Sequence, residues 1–349
     1  MDNPYASREF FHQLLSKAVA AEASDIHLKV GKPPGVRVGG EIVYFKVESL
    51  GPEDTRALTE LILGRQATPE RMDTLLEHDT SYAVGGLGRF RVNVYRQRGT
   101  FAIAMRSIPV RVPTIEELGL PQAIEDLAET ERGLVLVVGA AGNGKSTTLA
   151  SMVHHINTTR SRHIVTIEDP IEFLHRDERS CVSQREVGID TGSFASALRA
   201  ALRQDPDVIL VGEIRDGETM EIAVQAAETG HLVLSTMHTP DVSRSINRLL
   251  SLADNPIELR DRIADCMQGV VAQRLVPRIG GGLVLAQEIL VCTGTVREAF
   301  KRPDSNPPLK ELMEKGVTPY GMQTFQMALR GLVKDGHVSK ETAHNYLGY

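Results

Sequence analysis

The sequence feature that most constrains this 349-residue chain is the segment GAAGNGKS at positions 139–146, a glycine followed by four residues and then Gly-Lys-Ser. The glycines of this Walker A pattern let the backbone curl, so that successive N–H groups point inward at phosphate oxygens. A helix that begins near Lys145 adds the positive end of its dipole. We expect Lys145 to reach the β- and γ-phosphates and the Ser146 hydroxyl to ligate Mg²⁺. The pattern therefore predicts a strand, a phosphate-binding loop and a helix in succession.

The surrounding hydrophobic pattern supports this prediction. Five apolar residues, 134–138, precede the loop, and a helical pattern, 147–156, follows it. Further apolar strands at 164–167, 208–211 and 232–236 alternate with helical patterns, which is typical of a largely parallel sheet with helices on its faces. We therefore predict an α/β fold that binds ATP or GTP. The predicted nucleotide contacts are Gly139, Ala140, Ala141, Gly142, Asn143, Gly144, Lys145, Ser146, Thr147 and His231.

Two predicted strands downstream of the loop lead to carboxylates. Residues 208–211 (VILV) precede Glu213, which occupies the place of a Walker B acid that orders Mg²⁺ beside the γ-phosphate. Residues 164–167 precede Glu168 and Asp169, and Pro170 stops that strand. Because ligands bind at the carboxyl ends of such strands, we expect Glu168 to polarise the attacking water. The predicted cofactors are ATP and Mg²⁺, and the predicted metal-binding residues are Ser146, Glu168 and Glu213.

Two histidines flank the predicted strand at 232–236. His231 opens it and His238 follows it, seven residues later. A lone strand histidine is usually structural, but two that follow a Walker B acid can sense the γ-phosphate and relay its loss. The spacing and the absence of a nearby cysteine in the sequence argue against a zinc pair.

Charge and composition exclude several other classes of protein. The net charge of −6 argues against a nucleic-acid-binding surface, although a local basic channel stays possible. No apolar run approaches the ~20 residues that span a bilayer, and the first residues, MDNP, do not resemble a signal peptide. Cys181, Cys266 and Cys292 are far apart, which favours buried reduced thiols over disulfides or a zinc module. We therefore expect a cytoplasmic protein without membrane insertion.

Changes in the pattern predict the domain organisation. Residues 1–108 contain a helical pattern at 7–21 and short alternating strands, as in a small mixed α/β domain. Pro109 and Pro113 discourage both helix and central strand, so we place a linker at 109–116. The ATPase core follows at 117–290. Residues 291–349 form a predominantly helical C-terminal region.

Three segments follow the Walker A loop in a recognisable order. They are TIEDPIEF at 166–173, LRQDPDVILVGEIRD at 202–216 and TGHLVLSTMHT at 229–239. These segments resemble the Asp box, Walker B region and His box of the secretion and pilus ATPase superfamily. Within it the chain is most similar to the type IV pilus retraction (twitching motility) ATPases of the PilT and PilU type. SDIHL at 24–28, QRLVP at 273–277 and GMQTF at 321–325 extend the resemblance over nearly the whole chain.

The resemblance implies an architecture and a set of catalytic roles. It implies a PAS-like N-terminal domain, a RecA-like P-loop ATPase domain with a helical C-terminal region, and a homohexameric ring. Glu168 is then the catalytic glutamate and Glu213 the Walker B acid, with Lys145 and His238 in the same site. Residues 1–108 are also expected to bring arginines to the nucleotide as the ring closes, where a guanidinium neutralises transition-state charge. Arg91 and Arg106 match best by position.

The implied function is a mechanochemical motor. ATP hydrolysis is expected to drive type IV pilus disassembly and retraction by acting on an inner-membrane pilus platform protein, with a paralogous retraction ATPase as a possible second partner. The expected location is the cytoplasmic face of the inner membrane. An accessory PilU-like role and a pilus assembly or secretion role stay open as alternatives, as do a RecA-like nucleic-acid translocase and a ring that binds ATP but scarcely hydrolyses it.

Two departures from the family pattern bear on these alternatives. The loop has Ala140-Ala141 where the family commonly has Pro-Thr, and Asn143 where it commonly has Ser. The glycines, Lys145 and Ser146 are intact, so nucleotide binding is expected to survive. Residues 296–301 (VREAFK) match only loosely the C-terminal AIRNLIRE-like element of PilT-type motors. This second departure keeps the accessory role open.

Overall fold

A computed structural model describes residues 3–109 and 111–347. The chain divides into two units, the first containing residues 1–111 with Glu172–Leu174, and the second containing Val112–Ile171 and His175–Tyr349. The predicted linker at 109–116 includes Val110, which lies outside the described residues, as do Met1 and Asp2 of the segment tested for a signal peptide.

The first unit is an antiparallel sheet with three helices. Its elements are α1 (Arg8–Ala20), β1 (Asp25–Lys29), β2 (Gly35–Val38), β3 (Glu41–Tyr44), α2 (Pro52–Leu63), α3 (Pro69–Thr74), β4 (Glu77–Val84), β5 (Gly88–Gln97) and β6 (Thr100–Ile108), with short 3-10 helices at Pro4–Ala6 and Gly64–Gln66. The strand order is β3-β2-β1-β6-β5-β4. Alternation explains the burial, since Phe90, Val92 and Val94 of β5 enter the core while their neighbours face outward. Phe11 and Leu15 of α1 pack into the same core.

The second unit contains the remaining elements. They are α4 (Gln122–Ala128), β7 (Gly133–Val138), α5 (Lys145–Thr159), β8 (His163–Glu168), β9 (Cys181–Glu186), α6 (Phe194–Ala201), β10 (Val208–Val211), α7 (Gly217–Glu228), β11 (Leu232–Met237), α8 (Val242–Ser251), α9 (Pro256–Cys266), β12 (Met267–Pro277), β13 (Leu283–Val291), α10 (Gly294–Lys301), α11 (Leu309–Lys315), α12 (Phe325–Lys334) and α13 (Lys340–Leu347), with a 3-10 helix at Pro303–Ser305.

These strands form one seven-stranded sheet in the order β13-β12-β7-β11-β10-β8-β9. Strands β7 to β12 run parallel to their neighbours, and β13 pairs antiparallel with β12. Every residue of β7, β10 and β11 is buried, as expected for central strands that are covered by helices on both faces. The α/β fold, with an N-terminal sheet domain, an ATPase-type domain and a helical C-terminal region, is confirmed.

Two of the three cysteines have the expected environment. Cys266 and Cys292 are buried free thiols, but Cys181 at the start of β9 is exposed, so the prediction of a buried thiol was wrong there. Cys181 opens an outer strand of the sheet, where half of the surroundings are solvent.

Across residues 3–109 and 111–347, none of the helices combines the length and the apolar character that a bilayer crossing requires.

Candidate functional site

The register of the parallel strands brings the predicted site residues to one edge of the second unit. Val138 at the end of β7 lies opposite Met237 of β11, and Val211 of β10 lies opposite both Ser235 and Ile167. The carboxyl ends of β7, β8, β10 and β11 therefore share one edge, which we call the carboxyl edge. The Walker A loop, Glu168, Glu213 and His238 all follow these strand ends. Ligands of open α/β sheets bind at this kind of edge.

Backbone geometry explains the glycines of the loop. Gly139, Gly142 and Gly144 have φ angles of 150°, 78° and 78°, which L-residues with a side chain rarely adopt. A Cβ on Gly139 would lie 2.6 Å from the carbonyl oxygen of Gln273, so this position also has no room for one. Gly144 is the N-cap of α5 and offers no side-chain cap to the N–H groups of the first turn. These N–H groups suit a bound anion.

The side chains of the loop are held by the sheet beside it. Lys145 is buried, and its Nζ donates to the Ala140 carbonyl oxygen at 3.0 Å, so the ammonium lies over the loop. The Oδ1 of Asn143 accepts a hydrogen bond from the Leu275 N–H of β12 at 3.1 Å. Asn143, a departure from the usual family pattern, thus ties the loop to a neighbouring strand. Ser146 and Thr147 are half-buried in the first turn of α5.

Glu213 lies beside two basic side chains at the carboxyl edge. Its Oε1 pairs with Nη2 of Arg215 at 2.5 Å, and its Oε2 lies 3.5 Å from Nε2 of His238. Glu213 is only 8% exposed, and Oε2 has no hydrogen-bond partner among the described residues. The hydrogen bond from Arg215 to Glu213 outweighs desolvation and raises the pKa of Arg215. A buried carboxylate oxygen in this position is available to order a metal ion or its waters.

Glu168 is held by neighbours on its own face of the sheet. Its Oε1 accepts hydrogen bonds from the Thr166 hydroxyl at 2.6 Å and from the Gln184 amide Nε2 at 3.1 Å. Thr166 and Glu168 share a face of β8 because side chains alternate along a strand. Gln184 of β9 is the register partner of Thr166 and reaches the same face.

The structure does not bring His231 to the carboxyl edge. Its neighbour Leu232 lies opposite Gly133, the first residue of β7, so His231 is at the amino end of β11. The ring nitrogen Nδ1 hydrogen-bonds with the Ala226 carbonyl at 3.0 Å. The sequence analysis predicted that the two histidines flanking this strand both sense the γ-phosphate. In the structure the full length of β11 separates His231 from His238.

The two candidate arginines lie in the first unit, in a row across its sheet. Arg91 of β5 is the register partner of Arg106 of β6, and Arg106 is the partner of Asp25 of β1. Nε of Arg106 donates to Oδ1 of Asp25 at 2.9 Å. Burial opposes ionisation of Asp25, but hydrogen bonds from Ser24 and Arg106 outweigh it and lower the pKa of the carboxyl. Arg91 is exposed on the same row.

Sequence reasoning missed four side chains of the second unit that contact the predicted site residues or α5, the helix after the Walker A loop. They are Thr166, Gln184, Arg215 and Gln273; the last donates through Nε2 to the Thr148 hydroxyl of α5 at 2.7 Å. Strand alternation could have identified Thr166, two residues before Glu168. Arg215 lies two residues after Glu213, but its pairing depends on the turn. Gln184 reaches Glu168 only through the pairing of β9 with β8, and Gln273 lies on β12, which pairs with the distant β7, so no local signal marks them.

The described groups fit a magnesium nucleotide. The loop offers N–H groups and the Lys145 ammonium to phosphates, and the buried Glu213 carboxylate and the Ser146 hydroxyl are hard oxygen donors of the kind that Mg²⁺ prefers. The carboxyl edge therefore has the groups that phosphoryl transfer to water requires: a cation over the loop, a carboxylate for the metal and a second carboxylate for the water.

Comparisons with known proteins agree with this geometry. The model of the family described as type II/IV secretion system protein matches residues 89–283. The type IV pilus retraction ATPase PilT of Pseudomonas aeruginosa is 42% identical over 333 residues, 95% of this chain and 96% of that protein. The chain belongs to the type II/IV secretion system protein family. Among other family members, the type IV pilus ATPase PilU of P. aeruginosa is 40% identical over 338 residues, 95% of this chain and 87% of that protein.

A solved structure of a family member has the same fold. The crystal structure of the pilus retraction motor PilT with bound ADP superposes with a TM-score of 0.86 and 43% identity, covering 96% of each chain.

Proposed function

We propose that this protein hydrolyses ATP at the carboxyl edge of its second unit. Lys145 and the Walker A loop bind the phosphates, with Gly139, Ala140, Ala141, Gly142, Asn143, Gly144, Ser146 and Thr147 as the other contacts. Glu168 orients the attacking water as a general base. His238, whose Nε2 lies 3.5 Å from Oε2 of Glu213, responds to the γ-phosphate. Arg91 and Arg106 keep their predicted role of neutralising transition-state charge. His231 has no part in the proposed site.

Mg²⁺ is the metal that the site would hold. Ser146 and Glu213 would bind it directly or through water, with Glu168 nearby, and a bound Mg²⁺ would neutralise phosphate charge. The buried Oε2 of Glu213, which has no hydrogen-bond partner among the described residues, supports this assignment. Without a metal ion, the phosphates and the Glu213 carboxylate would be like charges facing each other in a partly desolvated site, which is costly.

We further propose that hydrolysis drives type IV pilus retraction. The observation that carries this proposal is the similarity to PilT of Pseudomonas aeruginosa along nearly the whole length of both chains, at 42% identity. The proposed assembly is a homohexamer at the cytoplasmic face of the inner membrane, acting on the pilus platform protein. The proposed parts of each chain are residues 1–108, a linker at 109–116, an ATPase core at 117–290 and a C-terminal region at 291–349.

An accessory role beside a second retraction ATPase is the alternative. Two observations favour it: the 40% identity to PilU, and the loose match of residues 296–301 to the C-terminal element of PilT-type motors. A RecA-like translocase has less support, because the net charge is −6, and ATPase activity that rises severalfold with added DNA would revive it.

Pilus number and length in a strain whose chromosomal copy carries Glu168→Gln test the retraction proposal. The change keeps the shape of the side chain and removes its basic carboxylate. We expect many long pili that do not shorten, because nucleotide still binds while turnover stops. The matched control is Glu314→Gln, an exposed glutamate of α11, which is expected to leave piliation unchanged.

Assays of the purified variants separate the catalytic assignment of Glu168 from the retraction proposal. Together with pilus shortening, they also separate an independent retraction role from an accessory one. Glu168→Gln is expected to lose ATP turnover by about 100-fold or more and to keep its affinity for ADP. Full turnover in Glu168→Gln would refute the catalytic assignment. Lost turnover with normal pilus shortening would refute an independent retraction role and favour the accessory one.

A further inference from the structure

We propose that Gln184 is the positioning residue of the catalytic glutamate: it holds Glu168 in place and ties it to the loop that follows β8. This inference rests on the proposed function, in which Glu168 orients the attacking water. It assigns a role to β9, a strand that contains none of the predicted site residues.

The side-chain amide of Gln184 makes two hydrogen bonds of opposite sense. Its Nε2 donates to Oε1 of Glu168 at 3.1 Å, and its Oε1 accepts from the backbone N–H of His175 at 2.8 Å. A carboxylate can only accept and a backbone N–H can only donate, so the group between them must do both. A glutamine side chain meets this requirement, whereas a glutamate supplies only acceptors and a lysine only donors.

The second donor to Glu168 comes from its own strand. The Thr166 hydroxyl donates to the same Oε1 at 2.6 Å, and Thr166 is fully buried. Two donors on one oxygen fix both the rotation of the carboxylate and its distance from the sheet. Hydrogen bonds to a charged acceptor are about twice as strong as those between neutral groups. The Glu168 side chain is therefore fixed in orientation by Thr166 and Gln184 together.

The same strand holds the loop after Glu168 at a second point. Oε2 of the buried Glu186 accepts from the Ile171 N–H at 3.2 Å, and the Val187 N–H donates to the Glu168 carbonyl at 2.9 Å. Gln184 and Glu186 point to the same face of β9, two residues apart. Strand β9 thus anchors residues 168, 171 and 175, and Gln184 contacts both the glutamate side chain and the loop backbone.

In this geometry Gln184 is needed to orient Glu168 and is not needed to bind the nucleotide. A general base must lie within hydrogen-bond reach of the water it activates, and a misplaced base lowers the rate of the chemical step. Gln184 lies on β9, which β11, β10 and β8 separate in the sheet from β7 and the Walker A loop that binds the phosphates. Loss of Gln184 should therefore lower kcat and leave the KM for ATP and the Kd for ADP nearly unchanged.

Two variants of the full-length protein separate the proposed role from a purely structural one. Gln184→Met keeps the length of the side chain and removes both hydrogen bonds. Gln184→Glu keeps an acceptor for the His175 N–H, loses the donor to Glu168 and adds a like charge beside it. We expect both variants to lose kcat for ATP by about 10- to 100-fold, with KM and Kd changed by no more than about twofold.

Two comparisons complete the experiment. Gln225→Glu adds the same charge at an exposed position of α7 and should keep the wild-type kcat. Thr166→Val removes the other donor to Glu168 and should lower kcat in the same way as Gln184→Met. A wild-type kcat in Gln184→Glu would overturn the inference, because the loop anchor alone would then explain Gln184. A raised Kd for ADP with unchanged kcat would overturn it as well.

The test also distinguishes the inference from the function on which it rests. Turnover that survives in Glu168→Gln would overturn the proposed catalytic role of Glu168, and the inference with it. Turnover that is lost in Glu168→Gln but normal in both Gln184 variants would overturn the inference alone.

Discussion

At the scale of single residues, His175 makes stability depend on pH. Burial, and to a smaller extent the nearby His154, lower the pKa of His175 to about 4. Its Nδ1 is buried and has no hydrogen-bond partner in the described part of the chain. An unfolded histidine has a pKa near 6.5, so the unfolded state binds more protons between these two values. The stability that a neutral His175 contributes is therefore complete above about pH 6.5 and is lost as the pH falls toward 4.

The expected effect is large enough to measure by urea unfolding. At pH 5 the unfolded state should gain about 2 kcal/mol relative to the native state from this one group. His175→Met should remove that dependence, so between pH 7 and pH 5 the free energy of unfolding should fall by about 2 kcal/mol less in the variant than in the wild type. His344→Met, an exposed histidine of α13, is the matched control and should keep the wild-type slope. An unchanged slope in His175→Met would contradict the assignment.

Residues differ in how far the sequence alone predicts their roles. The Walker A loop was predictable because its geometry is local: Gly139, Gly142 and Gly144 adopt positive φ within six residues. Glu168 and Glu213 were found because a strand end is visible as a run of apolar residues. Gln184 was not found, because its contact with Glu168 depends on the pairing of β9 with β8 across twelve intervening residues, 169–180. His231 was predicted to lie in the site because it and His238 flank one strand. The two ends of a strand lie at opposite edges of the sheet, so only His238 reaches the carboxyl edge.

At the scale of secondary-structure elements, Arg297 fastens α10 to the end of α9. Nη1 of Arg297 donates to the carbonyl oxygens of Ala264 at 2.5 Å and Asp265 at 2.8 Å, and Nη2 donates to Oε1 of Gln268 at 3.3 Å. A cation at the C-terminus of a helix also opposes the negative end of its dipole. Residues 296–301 match the family's C-terminal element only loosely, yet they form a helix that caps its neighbour.

Arg297→Met should therefore weaken the packing of α10. Loss of charge-assisted hydrogen bonds of this kind costs about 2 kcal/mol, so the midpoint of thermal unfolding should fall clearly. Lys301→Met, in the same helix, is the comparison. Nζ of Lys301 pairs with Oδ1 of Asp265 at 2.7 Å on the exposed side of the helix, and its loss should matter much less. Equal midpoints for the two variants would count against the capping role.

Helices and strands were predicted best where one face is apolar and the apolar residues recur at a regular spacing. The helix expected at 7–21 is α1, Arg8–Ala20, and the short alternating strands expected within residues 1–108 include β5, Gly88–Gln97. The hairpin at Gly39-Gly40 joins β2 and β3. The long antiparallel pair β12 and β13 was not foreseen, because its residues enter a sheet whose other strands lie far upstream. The order of the strands depends on such distant pairings and could be expected only from the resemblance.

At the scale of the whole molecule, a ring would share its work among subunits. Six chains of 38.2 kDa have a combined mass of about 229 kDa, which light scattering with nucleotide should detect if the proposed homohexamer forms. A monomer with and without nucleotide would argue strongly against a ring.

Mixed rings test whether the subunits act together. Wild-type chains are mixed with Glu168→Gln chains in increasing proportion, and ATP turnover is measured at constant total protein. Independent sites would give activity that falls in proportion to the wild-type fraction. In a ring whose subunits must fire in turn, one Glu168→Gln chain stalls its neighbours, so we expect activity well below that proportion. The control mixes wild-type chains with Glu314→Gln chains, which should leave turnover constant at every ratio. A strictly proportional decline with Glu168→Gln would mean that each site hydrolyses ATP independently of its neighbours. Cooperation between subunits would then be excluded as the source of the proposed pulling force.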